Sequence, residues 1–276
     1  MASPPPTIQA AVDQKPPQLA LPDTIVPGQI IWPYAIAIGL IHLLALTAVI
    51  PWLFSWTGLI VMIAPPDPYR CPPGPYERVS MVAHVLKQTN PTAKILVIDP
   101  KEKFSKQALF EEGWQRHYGG MVERIGPDFG GTNVRVDPEA MTVDIDGTVE
   151  KVDVCNVIPA QQAGRIAHLA GVTDGRWAPV NAADMSSRTD PDVHVLGDAA
   201  AQGDMPKSGF AANSQAKVCA MAVRGALIGS KVFPAKFTNT CWSLIAEDDG
   251  VKVGATYEAT EEKIAKVDGF ISQTGE

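Results

Sequence analysis

The chain has 276 residues, which is enough for one large domain or two modest ones. Its formal net charge of −7 and isoelectric point near 5.3 argue against the basic surface that nucleic-acid binding requires. No CxxC pair occurs, which excludes a zinc knuckle and a thioredoxin motif, and the four cysteines leave three possible pairings open; they are Cys71, Cys155, Cys219 and Cys241.

The first 57 residues carry almost no charge. Residues 1–29 are rich in proline, alanine and glutamine without periodicity, which predicts a disordered tail. Residues 30–57 are apolar and long enough to cross a bilayer, and Trp32 and Trp52 lie near the two ends as in an aromatic belt. We therefore predict one transmembrane helix over residues 30–57; the alternative is a buried core helix.

A strand–loop–helix–strand unit follows. The apolar runs 59–64 and 94–99 have the length of buried parallel strands, and the segment before the second run has helical spacing. The loop after the first run holds Cys71 among three prolines and between Arg70 and Arg78. Open α/β sheets bind ligands at this end of their strands, and the arginines would favour a thiolate. Cys71 is thus a candidate reactive sulfur; the alternative is a stiff turn with an inert cysteine.

The rest of the chain predicts mixed elements. Cys155 and Cys219 fall in apolar or small-residue runs typical of a core, whereas Cys241 lies in a polar stretch typical of a loop. The expected elements are a helix over 104–118, strands within 133–158 with a hairpin turn at Asp146-Gly147, a strand over Val193–Leu196, a helix over 211–228, and short strands over 231–276 with Glu258–Lys266 as a solvated helix face.

Gly197-Asp198-Ala199 follows the predicted strand Val193–Leu196 and precedes a predicted helix. In this arrangement the glycine would let a flavin approach the backbone, and the carboxylate would accept a hydroxyl of the ribityl chain. The N–H groups of the following helix would face an electron-rich edge of the ring. The pattern indicates a flavin site.

Several segments together carry a resemblance to a known family. From about Gly58 to the C-terminus the chain resembles the flavoprotein subunit of flavocytochrome c sulfide dehydrogenase, one of the two-dinucleotide-domain flavoprotein disulfide reductases. The segments that carry it are Ala64–Pro66, Arg70–Arg78, Phe104–Gln107, Asn156–Pro159, His194–Ala199, Met205–Phe210 and Asn239–Cys241.

The resemblance implies roles for individual residues. Cys71 and Cys241 match a redox-active disulfide beside the flavin, and Glu77 matches a proposed acid/base. The implied cofactor is FAD, the substrate is hydrosulfide, and a c-type cytochrome accepts the electrons; no metal site is implied. The implied flavin-contacting residues are Gly197, Asp198, Ala199, Lys207, Ser208 and Gly209.

The chain departs from this family in its N-terminal part. No two glycines are separated by a single residue, so the G-x-G-x-x-G motif that seats the FAD pyrophosphate is absent. Residues 24–58, and Pro51–Gly58 in particular, instead resemble the first membrane segment of a bacterial acyl-CoA desaturase, without the His boxes of its di-iron centre. We expect a truncated enzyme, fused near Gly58, with part of its apolar surface uncovered.

These observations predict a partial flavoprotein disulfide reductase fold of the α/β class, preceded by the transmembrane helix. The expected domains are a nucleotide-binding-like α/β domain over 58–160, a remnant of the flavin-binding domain over 161–229, and a flavocytochrome-type interface region over 230–276. The expected function is FAD-dependent sulfide:cytochrome c oxidoreduction with the C-terminal domain in the periplasm. The alternatives are a non-catalytic membrane-tethered remnant without flavin and a flavin-free thiol–disulfide protein.

Overall fold

The computed structural model describes residues 32–47 and 58–272, within two compact units, Met1–Leu53 and Phe54–Glu276. The first unit contributes one described helix, α1 (Trp32–Thr47), with Trp32 and Leu40 exposed. Among the described residues, no helix combines the length and apolarity that crossing a membrane requires. The predicted tail over residues 1–29 and the remainder of the segment 30–57 lie outside the described residues.

A parallel sheet opens the second unit. Its strands are β1 (Leu59–Ile63), β2 (Lys94–Ile98), β3 (Val122–Ile125) and β7 (Val154–Val157), and they pair in the order β3-β2-β1-β7. Helix α2 (Gly74–Thr89) connects β1 to β2, and helix α3 (Gln107–Tyr118) connects β2 to β3. The predicted strand–loop–helix–strand unit around Cys71 is confirmed, and the predicted helix over 104–118 begins three residues later.

An antiparallel meander links β3 to β7 after a 3-10 turn at Pro127–Phe129. Its strands are β4 (Val134–Asp137), β5 (Thr142–Ile145) and β6 (Thr148–Lys151). The predicted hairpin turn is confirmed, because Asp146 and Gly147 have φ of 51° and 90° between β5 and β6. Two consecutive positive φ values are the geometry for which Asp-Gly is favoured.

The segment before the long C-terminal helix is mostly irregular. It contains the short helix α4 (Arg165–Leu169), a parallel pair of two-residue strands, β8 (Ala178–Pro179) and β9 (Ala200–Ala201), and then α5 (Gly209–Ile228). The prediction of a strand over Val193–Leu196 is wrong: the segment makes one bridge, between His194 and Ser186. Within the described ranges no parallel neighbour pairs with it, and an apolar run without such a neighbour forms no ladder.

Three long antiparallel strands end the described chain: β10 (Lys236–Ala246), β11 (Asp249–Ala259) and β12 (Ile264–Ile271). The prediction of a helix face over Glu258–Lys266 is therefore wrong. Glu258 pairs with Ala265 across β11 and β12, while Tyr257 and Ile264 are buried. The charged residues of this segment lie at the end of β11, in the turn, or at the start of β12. Their side chains reach solvent there as they would on the surface of a helix.

Strand β10 joins two cores. Near its start Phe237 is buried with α5 in one apolar cluster, and near its end Ile245 is buried with α2 and α3 in another. The approach to α3 is close, since a Cβ on Gly113 would lie 2.5 Å from Cγ2 of Ile245. Cys241 lies between these anchors, so its position is fixed from both sides.

Candidate functional site

The Cys71 loop begins the site at the C-terminal end of β1. Cys71 has a positive φ of 51°, an uncommon conformation for a residue with a side chain. Its backbone N–H donates to the carbonyl oxygen of Lys207 at 2.7 Å, and Gly74 N–H donates back to the Cys71 carbonyl at 2.8 Å. A Cβ on Gly74 would lie 3.1 Å from the Cys71 sulfur, so the glycine gives the thiol room.

The Cys71 thiol does not have the electrostatics that the sequence predicted. Its pKa is raised, first because packed protein atoms desolvate the sulfur although the residue is exposed, and then by the charges of Cys241 and Glu77. The cation that opposes this rise is Lys106. The prediction that flanking arginines favour the thiolate is therefore wrong: Arg70 instead donates to Gln161 Oε1, from N at 2.8 Å and from Nε at 3.1 Å.

Glu77 lies in the first turn of α2, half-buried, six residues beyond Cys71. Its Oε1 accepts a hydrogen bond from the backbone N–H of Leu244 in β10 at 2.8 Å. The carboxylate is thus held between the helix and the strand that carries Cys241. Its charge reaches both Cys71 and Lys106.

Cys241 lies in the middle of β10 and is half-buried, so the prediction of a loop environment is wrong. Asn239, two residues earlier on the same face, places its Nδ2 3.6 Å from the Cys241 sulfur. Its Oδ1 accepts a hydrogen bond from Ser208 Oγ at 2.6 Å. Both Cys71 and Cys241 are free thiols in the structure. The neighbouring residues Lys207 and Ser208 connect their surroundings, since Lys207 accepts from the Cys71 N–H and Ser208 donates to Asn239. The charge of Cys241 also raises the pKa of Cys71, after burial.

The predicted flavin-contacting residues also meet here. Gly197–Ala199 form a short 3-10 turn in which Gly197 has φ of 69° and donates its N–H to Gln215 Oε1 at 2.7 Å. Lys207 Nζ donates to the carbonyl oxygens of Asp198, at 3.1 Å, and Ala200. Its own carbonyl accepts from Cys71, so this lysine connects the glycine turn to the cysteine loop.

Ser208 and Gly209 begin α5 beside this turn. Ser208 caps the helix by accepting the N–H of Ala211 at 3.1 Å, and a Cβ on Gly209 would meet nothing within 4 Å. Asp198 Oδ1 is buried without a hydrogen-bond partner. An unpaired buried carboxylate oxygen requires a donor, and a ribityl hydroxyl is one. The residues around Asp198 therefore fit the ribityl end of a flavin, whereas the motif that seats a pyrophosphate is absent from the sequence.

Lys207 is nearly fully buried against Trp177, with its Nζ 3.8 Å from the ring centroid. Burial lowers the pKa of Lys207 to about 8, although the charge of Asp198 opposes this. At pH values below this pKa, Lys207 is protonated and supplies a positive charge at the glycine turn. At pH values above it, the side chain is neutral. Such a charge is suited to the anionic groups of a bound ligand.

A buried network of ion pairs and hydrogen bonds around Asp99 supports α2, the helix that follows the cysteine loop. Asp99, at the end of β2, accepts hydrogen bonds from Lys101 Nζ at 2.7 Å and from Tyr76 Oη at 2.7 Å, and Arg124 Nε lies 3.1 Å away. Tyr76 belongs to α2 and stacks on Phe104 with the ring centroids 3.5 Å apart. The network fixes the helix that follows Cys71.

The sequence analysis assigned no role to two residues of this site, although both lie in segments that carry the family resemblance. Lys106 takes a positive φ of 63°, for which a lysine gives no sequence signal. Asn239 could have been found, because Asn239, Cys241 and Ser243 alternate along β10 and share a face, with the first and last buried.

Solved structures share parts of this architecture. This chain superposes on a chain of the Tetrahymena thermophila mitochondrial ATP synthase with a TM-score of 0.53 and 17% sequence identity. The match covers 75% of this chain and 53% of the ATP synthase chain. Weaker matches are the HOCl-induced flavoprotein disulfide reductase RclA from Escherichia coli (TM-score 0.45, 11% identity, coverage 79% and 54%) and NADH:rubredoxin oxidoreductase from Clostridium acetobutylicum (TM-score 0.35, 15% identity, coverage 79% and 55%). The chain spans about half the length of each of these matched chains. At 17% identity, the match to the ATP synthase chain shows a shared fold and nothing more.

Two family models match the sequence directly. Residues 54–159 match the central region of the sulfide dehydrogenase (flavocytochrome c) flavoprotein chain. Residues 234–276 match the flavin-binding region of flavocytochrome c sulphide dehydrogenase. Together the matches cover more than half of the chain and include Cys71, Glu77 and Cys241. The resemblance read from the motifs is confirmed: these two ranges match two regions of the flavoprotein chain of flavocytochrome c sulfide dehydrogenase.

Proposed function

We propose that the chain acts as a flavin-dependent oxidoreductase that takes electrons from hydrosulfide through a Cys71–Cys241 disulfide and passes them to a c-type cytochrome. The observation that carries the proposal is the convergence of two distant thiols and Glu77 on one site, joined by hydrogen bonds to the glycine turn and the start of α5. We also propose that the chain has part of the two-dinucleotide-domain fold of flavoprotein disulfide reductases and that its cofactor is FAD.

The chemistry begins from the oxidised cysteine pair. Attack of HS⁻ on one sulfur breaks the S–S bond, forms a persulfide on that cysteine and releases the other as a thiolate. Glu77, whose Oε1 accepts the Leu244 N–H at 2.8 Å, would accept or return the proton of the incoming sulfur. Asp198, Lys207 and Ser208 would hold the flavin, which supplies a two-electron acceptor that can release its electrons one at a time.

We further propose a location for the chain. Residues 30–57 would anchor the chain in the membrane, and the C-terminal unit would lie in the periplasm, where an exported family meets c-type cytochromes. The apolar composition of that segment supports the anchor.

A second candidate is a flavin-free thiol–disulfide protein. The absence of a pyrophosphate-binding motif from the sequence favours it. In that case Cys71 and Cys241 would exchange with other thiols, and Asp198 would hold no ligand.

A flavin titration separates the two candidates. The full chain in detergent is titrated with FAD and with riboflavin while flavin fluorescence is followed. We expect both to bind with similar affinity, since the fitted residues contact only the ribityl end, and we expect Asp198→Asn to weaken both about tenfold, as the loss of a charged hydrogen bond does.

Anaerobic sulfide is then added to the flavin-loaded, oxidised protein. We expect the visible flavin absorbance to bleach in the wild type and in Cys155→Ser, and to persist in Cys71→Ser. Absence of flavin binding, or equal bleaching in Cys71→Ser, would contradict the proposed function.

A further inference from the structure

Lys106 is a buried cation with no carboxylate partner among the described residues. It is 5% exposed and occupies the left-handed position before α3. Its Nζ donates to Ser243 Oγ at 2.8 Å and lies 3.4 Å from the Cys241 carbonyl oxygen. These are neutral acceptors, so the ammonium charge is solvated by dipoles and not neutralised.

Such a placement is costly. Burying an ammonium without a counter-ion is unfavourable, and a positive φ adds backbone strain for a residue with a side chain. Strain of this kind persists where the surrounding structure holds it, and it concentrates at functional sites. We therefore expect the ammonium of Lys106 to interact with a negative charge in the site.

Three ionisable groups face Lys106, from three different elements: Cys71 in the loop after β1, Glu77 in α2, and Cys241 in β10. Burial lowers the pKa of Lys106, and the charges of these groups oppose that effect. In return Lys106 is the cation that lowers the pKa of Cys71 against burial. The arginines beside Cys71 do not take part.

We propose that Lys106 is a positioning residue whose ammonium stabilises the anionic sulfur of the Cys71–Cys241 site, and that Ser243 holds it there. The inference rests on the proposed function for the meaning of that anion, because cleavage of the disulfide releases a thiolate. It adds the turn before α3 as a fourth element of the site, beside the Cys71 loop, α2 and β10.

The test measures alkylation of the reduced, flavin-free chain in detergent. The rate at which iodoacetamide labels Cys71 is followed as a function of pH by mass spectrometry of its peptide. Lys106→Met is expected to raise the midpoint by about one pH unit and to slow labelling near neutral pH about tenfold, since an opposite charge nearby lowers a thiol pKa. At the alkaline end of the titration the rates of variant and wild type are expected to converge.

Matched variants separate charge from structure. Lys106→Arg is expected to restore the wild-type midpoint in large part, and Lys106→Gln, which can still bond Ser243, to shift it like Lys106→Met. Lys103→Met removes an exposed lysine three residues away and is expected to change nothing. An unchanged midpoint, or a rate lowered equally at every pH, would overturn the inference. Because the measurement uses neither flavin nor sulfide, its failure is distinct from failure of the proposed function.

Discussion

At the scale of single residues, burial decides the chemistry more than neighbouring sequence does. Cys71 lies between two arginines in sequence, yet Arg70 binds Gln161, and the charge that reaches the thiol comes from Lys106, 35 positions away. The sequence pattern located Cys71 and Glu77, which the structure brings into one site, but could not identify the cation. Side-chain direction in an irregular loop depends on tertiary partners that local sequence does not specify.

Asp99 gives the residue-scale prediction for stability. The carboxylate is fully buried, and removing its charge in Asp99→Asn would leave Lys101 buried without its counter-ion. We expect a loss of about 3–5 kcal/mol in the free energy of unfolding, measured by urea denaturation at neutral pH. The exposed control Asp128→Asn is expected to change it by less than about 0.5 kcal/mol.

The pH dependence of this effect has a defined sign. Burial opposes ionisation of Asp99, but hydrogen bonds from Lys101 and Tyr76 outweigh it, and the pKa of Asp99 is lowered. Its contribution to stability is therefore present above the unfolded pKa of about 3.9 and is lost as the pH falls through the lower folded value. A stability difference between Asp99→Asn and the wild type that does not narrow in acid would contradict this account.

At the scale of elements, periodic segments were predictable and context-dependent ones were not. The βαβ unit around Cys71 and the Asp146-Gly147 hairpin follow from apolar spacing and turn chemistry. Val193–Leu196 has the composition of a strand without a neighbour to pair with, and Cys241 lies in a polar segment that forms the centre of a long strand. Strand formation depends on partners that are distant in sequence, so composition alone misjudged both.

The apolar segment 30–57 gives the element-scale prediction. Its length and aromatic ends favour membrane insertion. We expect the full chain to remain with membranes after alkaline carbonate extraction, and protease added to spheroplasts to cleave the C-terminal unit. Release by carbonate would contradict the anchor, and protection from the external protease would contradict the periplasmic location.

At the scale of the whole molecule, the C-terminal sheet joins the parts of the site. Strand β10 carries Cys241, packs on both cores and supplies the Leu244 amide that holds Glu77. As expected from the sequence, apolar surface remains exposed at the sheet edge and on α4, including Val154, Val157 and Ile166. The reactive site therefore depends on contacts between segments about 170 residues apart, which no local motif could reveal.

The proposed function requires that Cys71 and Cys241 form a disulfide. The full chain is exposed to oxidised glutathione, remaining thiols are alkylated, and the unreduced digest is analysed by mass spectrometry. We expect one linked peptide pair, Cys71 with Cys241, while Cys155 and Cys219 are alkylated. A different pairing, or recovery of Cys71 and Cys241 as separate alkylated peptides, would contradict it.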